Sequence, residues 1–372
     1  MRIQPFRAVR PVPELAAEVA AVPYDVVSRS EAAELARGNV HSFLHVGRSD
    51  IDLPEDIDPH DPLIYSKARE ALDSFLEREI LIRDRTPALY LYRQIMDGRA
   101  QTGVVGCVHI DDYERDIIRK HEKTRQDKED DRTRHVLTLN AHAEPVFLTY
   151  RGKPAIDALA ESVVATTPLY DFTAPDNVRH TIWRIADPSA WVKAFGTVPH
   201  AYVADGHHRC ASAWRAGKER RSANPNDRGN EEYNWFLAVL FPATQLAILP
   251  YNRVVRDLAG KTAAQVLREL AGVGLVRPAP GPEPERSGSF CVYLNNAWHL
   301  LELDKTTIDP QDPIGSLDVS LLQDRVLSPI LGVGDPRSDK RIDFVGGIRG
   351  TGELERRPSL GPLSRWPMPS PS

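Results

Sequence analysis

"ALYLYRQIMDGRAQTGVVGCVHI", residues 88–110, is two β-rich runs joined at Asp97-Gly98. That dipeptide suits a type I′ turn, whose two central residues both need positive φ. The stretch therefore reads as a β-hairpin, and a hairpin is an antiparallel pair that a strict βαβ alternation does not contain. Further strands are expected at 5–9, 41–46, 145–150, 178–185, 200–204, 235–241 and 244–250, and a second hairpin around Asn295-Asn296 in "SFCVYLNNAWHLLEL". Helices are expected between them. Ser28 with Glu31 is a capping-box pair ahead of a helix over 29–37, with Gly38 at its stop. Leu63, Ile64, Ala68, Ala71, Leu72, Phe75 and Leu76 recur at helical spacing. Other helices are expected near 154–165, 188–195, 208–216 and 261–271, with Asp318 opening one that runs to about 330. Strands and helices mix without regular alternation, so the fold class expected is α+β, with mixed sheets and packed helices.

The chain has 372 residues and 41% apolar content, enough for one large domain or two ordinary ones. The expected division is a main α+β region over 1–257, a smaller α+β region over 258–349, and a disordered tail over 358–372, where "PSLGPLSRWPMPSPS" is too rich in Pro and Ser to bury much surface. With 47 basic against 52 acidic side chains the net charge is −5, so no overall positive field recruits a nucleic-acid backbone, and no nucleic-acid partner is expected. Cys107, Cys210 and Cys291 lie far apart without metal-ligand spacing and read as small core residues. The N-terminus lacks the apolar run of a signal peptide, and the longest apolar run, Trp235–Phe241, is too short to span a membrane. A cytoplasmic protein with no membrane partner is the expectation.

Chemistry concentrates in two stretches. In "ADGHHRCASAWRAG", residues 204–217, a β-rich run meets a helix-prone one, and Gly217 stands at the expected helix stop. "DGHHR" therefore falls on the turn and first helical residues, where unpaired backbone N–H groups and the helix dipole favour an anion. Gly206 lets a ligand approach the backbone, and Arg209 can fork onto phosphate oxygens. Asp205 would repel a bare anion, but it suits a magnesium ion held on a phosphate, or a proton. The bland alternative is an Asp N-cap followed by surface histidines. Zinc held by His207 and His208 is disfavoured, since adjacent side chains diverge and no soft third ligand stands nearby.

The second stretch, "IIRKHEKTRQDKEDDRTRHV", residues 117–136, has no apolar residue from Arg119 to His135. On helical spacing His121, Arg125, Lys128, Arg132 and His135 share one side, with Glu122, Gln126 and Glu129 beside it. Such a segment is either a solvated helix laced by i,i+4 pairs or the polar wall of an anion site. Arg7, Arg10 and Asp25, and the group His41, His45, Arg48 and Asp50, are weaker candidates near the N-terminus.

The ordered motifs "PFRAVRP", "VPYDVVS", "SFLHVGRSDIDLP", "QTGVVG", "IIRKHEKTR" and "ADGHHR" resemble the bacterial and archaeal family catalogued as domain of unknown function 1015, from about residue 3 to about residue 349. After about Arg357, where relatives carry a Met-Pro-Pro-Lys-Ser-Thr-like stretch, this chain turns to Pro and Ser. The turn at 204–209 also resembles the phosphate-binding turn of the ParB and sulfiredoxin superfamily, which includes nucleotide-binding ParB proteins, ATP-using sulfiredoxin and free serine kinases. This second resemblance implies phosphoryl or nucleotide chemistry at Asp205–Arg209.

Residues and resemblance together lead to an expected phosphoryl-transfer enzyme for a small metabolite, serine or phosphoserine first, working as kinase or phosphatase. Asp205, His207, His208 and Glu122 are the expected catalytic residues, Asp205 also holding Mg2+, with Asp25 as a reserve base. Gly206, Arg209, His121, Arg125, Lys128 and Arg132 would bind the phosphate or a nucleotide, ADP or ATP. The alternatives are a ParB-like nucleotide-binding switch, which would need a helix-turn-helix and a basic face, and a metal-dependent hydrolase using the histidines as ligands.

Overall fold

A computed structural model describes residues 1–359 apart from 123, 285, 313, 337, 348 and 349, with the backbone alone for 357–359. The chain divides into two compact units, the first Met1–Leu246 and the second from Ala247 onward. Most of the tail expected to be disordered, from residue 360, lies outside the described residues.

In the first unit the strands are β1 (Ile3–Gln4), β2 (Val9–Pro11), β3 (Leu81–Arg83), β4 (Leu89–Met96), β5 (Arg99–His109), β6 (Ile118–Arg119), β7 (Val146–Tyr150), β8 (Tyr170–Thr173), β9 (Arg179–Ile185), β10 (Ala201–Asp205) and β11 (Trp235–Pro242). The helices are α1 (Ala16–Val19), α2 (Arg29–Ala36), α3 (Leu44–Gly47), α4 (Pro62–Glu77), α5 (Ile110–Glu114), α6 (Gln126–Leu139), α7 (Pro154–Val164), α8 (Ser189–Phe195) and α9 (His207–Ala223). The hairpin β4–β5 turns at Asp97 and Gly98, whose φ of 50° and 77° are those a type I′ turn requires. It is the centre of a nine-stranded sheet in the order β6-β10-β7-β11-β5-β4-β9-β8, with β1 also on β5. Pairs β6–β10 and β7–β11 are parallel and the rest antiparallel. The sheet is mixed and the class is α+β. One face, carrying Leu89, Leu91, Leu148, Ala201, Val203 and Leu240, packs on α5, α7, α8 and α9 through Ile110, Ile156, Trp191, Phe195 and Cys210. A second cluster, with Val46, Ala68, Leu72, Phe75 and Leu139, joins α3, α4 and α6.

The second unit holds β12 (Tyr251–Val255), α10 (Ala263–Ala271), β13 (Gly274–Pro278), β14 (Ser289–Leu294), β15 (Ala297–Leu303), α11 (Asp318–Leu322), α12 (Ser328–Leu331), β16 (Ile342–Gly346) and α13 (Gly352–Ser359). β13, β15 and β14 form an antiparallel sheet that turns at Asn295 and Asn296, both at positive φ. β12 pairs with β16, and this pairing ties residues 251–255 to the C-terminal elements. Among the described residues no helix is long and apolar enough to cross a membrane.

Four local expectations are corrected. Residues 5–9, expected as one strand, mostly lie between β1 and β2, with Phe6 in an isolated bridge to Ala88. Residues 41–46, expected as a strand, end in the helical turn α3: Leu44 packs with Ala32 and Ala36, while Val46 packs with Ala68 and Leu72. A strand would send both side chains to one face. Residues 244–250 are not a strand either. Gln245 folds back on β5, its side chain accepting the Thr102 N–H and its carbonyl accepting from Arg99, and the next strand starts only at Tyr251. Finally, α9 runs through Gly217 to Ala223. Gly217 is needed for close packing, since a Cβ there would lie 2.5 Å from the Tyr233 carbonyl oxygen and 2.8 Å from Ile110.

Candidate functional site

β10 ends at Asp205 with a register shift after Val203, and Gly206 follows at φ 90°, a left-handed conformation that glycine adopts without strain. The 17-residue helix α9 starts at once, and no side chain caps it. Its first N–H groups and the positive end of its dipole are therefore presented at the turn.

Arg209, on the first turn of α9, is only 9% exposed. Its Nη1 donates to the Pro145 carbonyl at 2.5 Å, and its Nη2 donates to Asp205 at 2.5 Å and reaches Asp25 at 3.4 Å. Its Nε is shielded from solvent with no acceptor. The far side is built by Arg132, which lies over the Tyr24 ring at 4.1 Å and pairs with Asp131 at 2.7 Å; Asp131 also accepts from the Tyr65 hydroxyl at 2.7 Å. Between the two arginines stands Glu144. Its Oε2 is shielded and unpartnered, while its Oε1 lies where a Cβ on Gly47 would approach to 3.1 Å. Burial pushes its carboxyl up to about 7, with nearby Asp25 adding to the rise and Arg132 and Arg209 opposing it. A cavity of about 30 Å³ opens among Arg132, His135, Glu144, Arg209 and Ser212, room for about one water.

On the other side of the turn, His207 is 5% exposed, and its Nδ1 lies 3.3 Å from Glu122 Oε2. The ring meets His121 edge to face at 4.3 Å, and its Nε2 is shielded without a partner. Burial pulls the His207 pKa below its ordinary value, against the opposing pull of Glu122, so the ring is neutral near pH 7. Donor atoms of His121, Glu122 and His207 all lie within 4.8 Å of one another, the residue types and spacing of a metal centre. His208 takes a different part: its Nε2 accepts the Arg125 backbone N–H at 3.2 Å, at the start of α6. Further along, Ser212 and Arg215 of α9 bond to Glu129 and Asp130 of α6.

The structure thus brings the segment 121–135 against the turn, as the sequence implies, but not as one stripe. α6 begins at Gln126, so His121 and Glu122 precede it and owe their place to the approach from β6. Arg125 is half-exposed and forks onto Asp127 at 3.2 and 2.7 Å. The Lys128 ammonium makes no hydrogen bond or ion pair among the described residues. Arg132 and His135 turn inward, His135 against the Val46 carbonyl oxygen at 3.1 Å. The helix lacks apolar residues in its first turns yet buries Thr133 and His135; a carbonyl oxygen meets the His135 ring, while the Thr133 hydroxyl is shielded without a hydrogen bond. Glu144, Tyr24 and Asp131 carry no signal in sequence that marks them as neighbours of the turn. Asp25 was visible only as an isolated acid, and Arg209 brings it to Asp205.

The electrostatics have a definite sign. Two guanidinium groups, Arg132 and Arg209, stand among four carboxyl groups, Asp25, Asp131, Asp205 and Glu144. A bare anion would add to an existing excess of acid, whereas a cation with its anion would not.

Fold and site define a mixed α+β protein whose polar centre is built at a strand-to-helix turn, with arginine and carboxylate side chains on one side and a His-Glu-His group on the other. The chain matches the family described as protein of unknown function (DUF1015) over residues 3–320, and it belongs to that family. No curated protein and no solved structure matches it.

Proposed function

We propose that this protein is a phosphoryl-transfer enzyme for a small metabolite, serine or phosphoserine first, with the phosphate held at Asp205–Arg209. The observation that carries the reading is Arg209: a guanidinium 9% exposed, tied to two acids at the uncapped start of a 17-residue helix. Backbone N–H groups and a buried arginine are what a phosphoryl group in transfer needs, since positioning and charge neutralisation do most of the work. The likeness of this turn to that of the ParB and sulfiredoxin superfamily, free serine kinases included, supports the same chemistry.

Asp205, with Asp25 beside it, offers the hard oxygen donors that would hold Mg2+, and the excess of carboxyl over guanidinium groups fits a cation there. When bound, the ion would neutralise charge across the phosphate oxygens of ADP or ATP. In the kinase direction the acceptor hydroxyl gives its proton to Glu122 as its oxygen forms the new bond to phosphorus and the nucleotide oxygen leaves. Neutral His207 orients Glu122, and Arg209 holds the equatorial oxygens.

A second reading, a metal-dependent hydrolase, is favoured by one observation, the grouping of His121, Glu122 and His207 within 4.8 Å. Two imidazoles and a carboxylate suit zinc, manganese or iron(II) better than magnesium.

Thermal-shift measurements with ADP, ATP, CTP and phosphoserine, each with and without Mg2+, test the first reading. The expected result is stabilisation by a nucleotide or phosphoserine that needs Mg2+ and is abolished by Asp205→Asn and by Arg209→Ala. A flat response to all four refutes it. Phosphorus NMR of serine plus nucleotide, and of phosphoserine alone, separates kinase from phosphatase. Phosphate release that survives Asp205→Asn but is lost in His121→Ala, and is restored by zinc after chelation, would favour the hydrolase.

A further inference from the structure

A second concavity, of about 240 Å³, lies at the opposite end of β10 from Gly206 and is lined by Arg119, Arg151, Val198, Pro199, His200 and Tyr202. Tyr202 and Asp205 are three residues apart on the strand, about 10 Å at strand rise, so the two places are separate. Among the described residues no carboxylate lines this cavity. Among the described residues the Arg119 guanidinium reaches the His200 ring, at 3.1 Å, and the Tyr202 face, at 5.8 Å, and no acid. Arg151 has no ion pair or hydrogen bond among the described residues. Two guanidinium groups without acidic partners thus stand around one hollow in a chain of net charge −5. Other exposed arginines do find acids, as Arg125 does on Asp127 and Arg179 on Asp171.

The contact between Arg119 and His200 has a fixed direction. A guanidinium can only donate, so the 3.1 Å contact makes His200 Nε2 the acceptor and leaves the ring proton on Nδ1. That Nδ1 is shielded from solvent and has no acceptor.

We propose that this cavity binds the phosphate monoester of a small organic molecule. Two guanidinium forks balance a dianion, whereas a single carboxylate would leave one positive charge over, and their N–H groups suit the oxygens of a tetrahedral phosphate. The hollow exceeds a phosphate ion in size, and Val198, Pro199 and Tyr202 give an apolar wall for the remainder of the molecule. The site is built on β6 and β10, the same parallel pair that leads into His121 and Gly206. Occupancy there therefore bears directly on the strands that position the turn.

The test is calorimetric titration of the full chain at low salt with inorganic phosphate and with glycerol 3-phosphate. It is carried out in Arg209→Ala, which removes the anchor of the turn and so keeps this site distinct from the proposed catalytic one. The expected result is saturable binding in Arg209→Ala, tighter for glycerol 3-phosphate than for phosphate, and weakened at least tenfold when Arg119→Ala and Arg151→Ala are added. Arg151→Ala alone, at an exposed side chain that cannot threaten the fold, should weaken it several-fold. Absence of binding in Arg209→Ala, or unchanged affinity in the triple variant, overturns the proposal.

Discussion

Glu144→Gln tests the electrostatics of the turn most directly. The substitution keeps the shape of a side chain whose Oε2 is shielded without a hydrogen-bond partner, and removes its ability to ionise. In the unfolded chain the carboxyl titrates near its ordinary 4.5, and in the folded protein near about 7, because burial disfavours the charge more than Arg132 and Arg209 favour it. Between those two values the folded state binds the extra proton, so Glu144 contributes stability that is fully present below 4.5 and lost as pH rises through 7. Each tenfold change in proton affinity is about 1.4 kcal/mol, so the whole window is worth about 3 kcal/mol. Glutamine has no such window. Urea unfolding of wild type and variant at pH 4.5 and pH 8 isolates the effect, since every other titrating group largely cancels in the difference. The variant should gain about 3 kcal/mol on the wild type between the two pH values, with unchanged m. A difference that stays constant with pH refutes the reasoning, and one of opposite sign would mean that the two arginines, not burial, dominate.

Gly217→Ala should cost about 2 kcal/mol although alanine is the better helix former, because its Cβ would press on the Tyr233 carbonyl; thermal unfolding reads it, and a neutral or stabilising outcome would show that the contact relaxes freely. Ser28→Ala removes the hydroxyl that accepts the Glu31 N–H, while the Ser28 backbone N–H still donates to the Glu31 carboxylate, and should cost about 1 kcal/mol by the same measurement. Cys210, fully buried and with its thiol pushed up to about 12 by burial, should resist alkylation in the native protein at pH 8 and react after denaturation; rapid native labelling would place it at the surface.

Features set by local chemistry are legible in the sequence. The Asp97-Gly98 and Asn295-Asn296 turns, the Ser28-Glu31 cap and the apolar spacing of α4 all came out as read, since each depends on residues within a few positions of one another. Errors arose where a segment answers to two partners at once. Leu44 and Val46 alternate in burial as strand residues do, yet each fills a different cluster, and only a helical turn serves both. Gly217 has the chemistry of a helix stop, but a carbonyl from residue 233 decides its role. In the site, Gly206 and Arg209 were readable because a strand, a glycine and a helix start lie side by side. Glu144 was not, since what raises its pKa is burial between α6 and α9 side chains, and one carboxyl before a proline says nothing of that.

The ion pairs around Arg209 change what the turn can be asked to do. Sequence suggests an arginine waiting for phosphate and an aspartate waiting for metal, two groups with separate ligands. In the folded protein Asp205 and Asp25 are bound to that arginine, so a phosphate must compete with two carboxylates for one guanidinium. A cation that draws the aspartates away frees the arginine at the same moment that it brings its own charge to the anion. Metal and phosphate should therefore bind with positive coupling, each weak alone, and the coupling is reciprocal by linkage. Titrating phosphoserine at several fixed Mg2+ concentrations, and Mg2+ at several phosphoserine concentrations, should give the same coupling factor both ways, and Asp205→Asn, which removes the metal's donor, should abolish the coupling. Independent binding of the two would mean that the Arg209–Asp205 pair holds the helix start in place and does not open for a ligand.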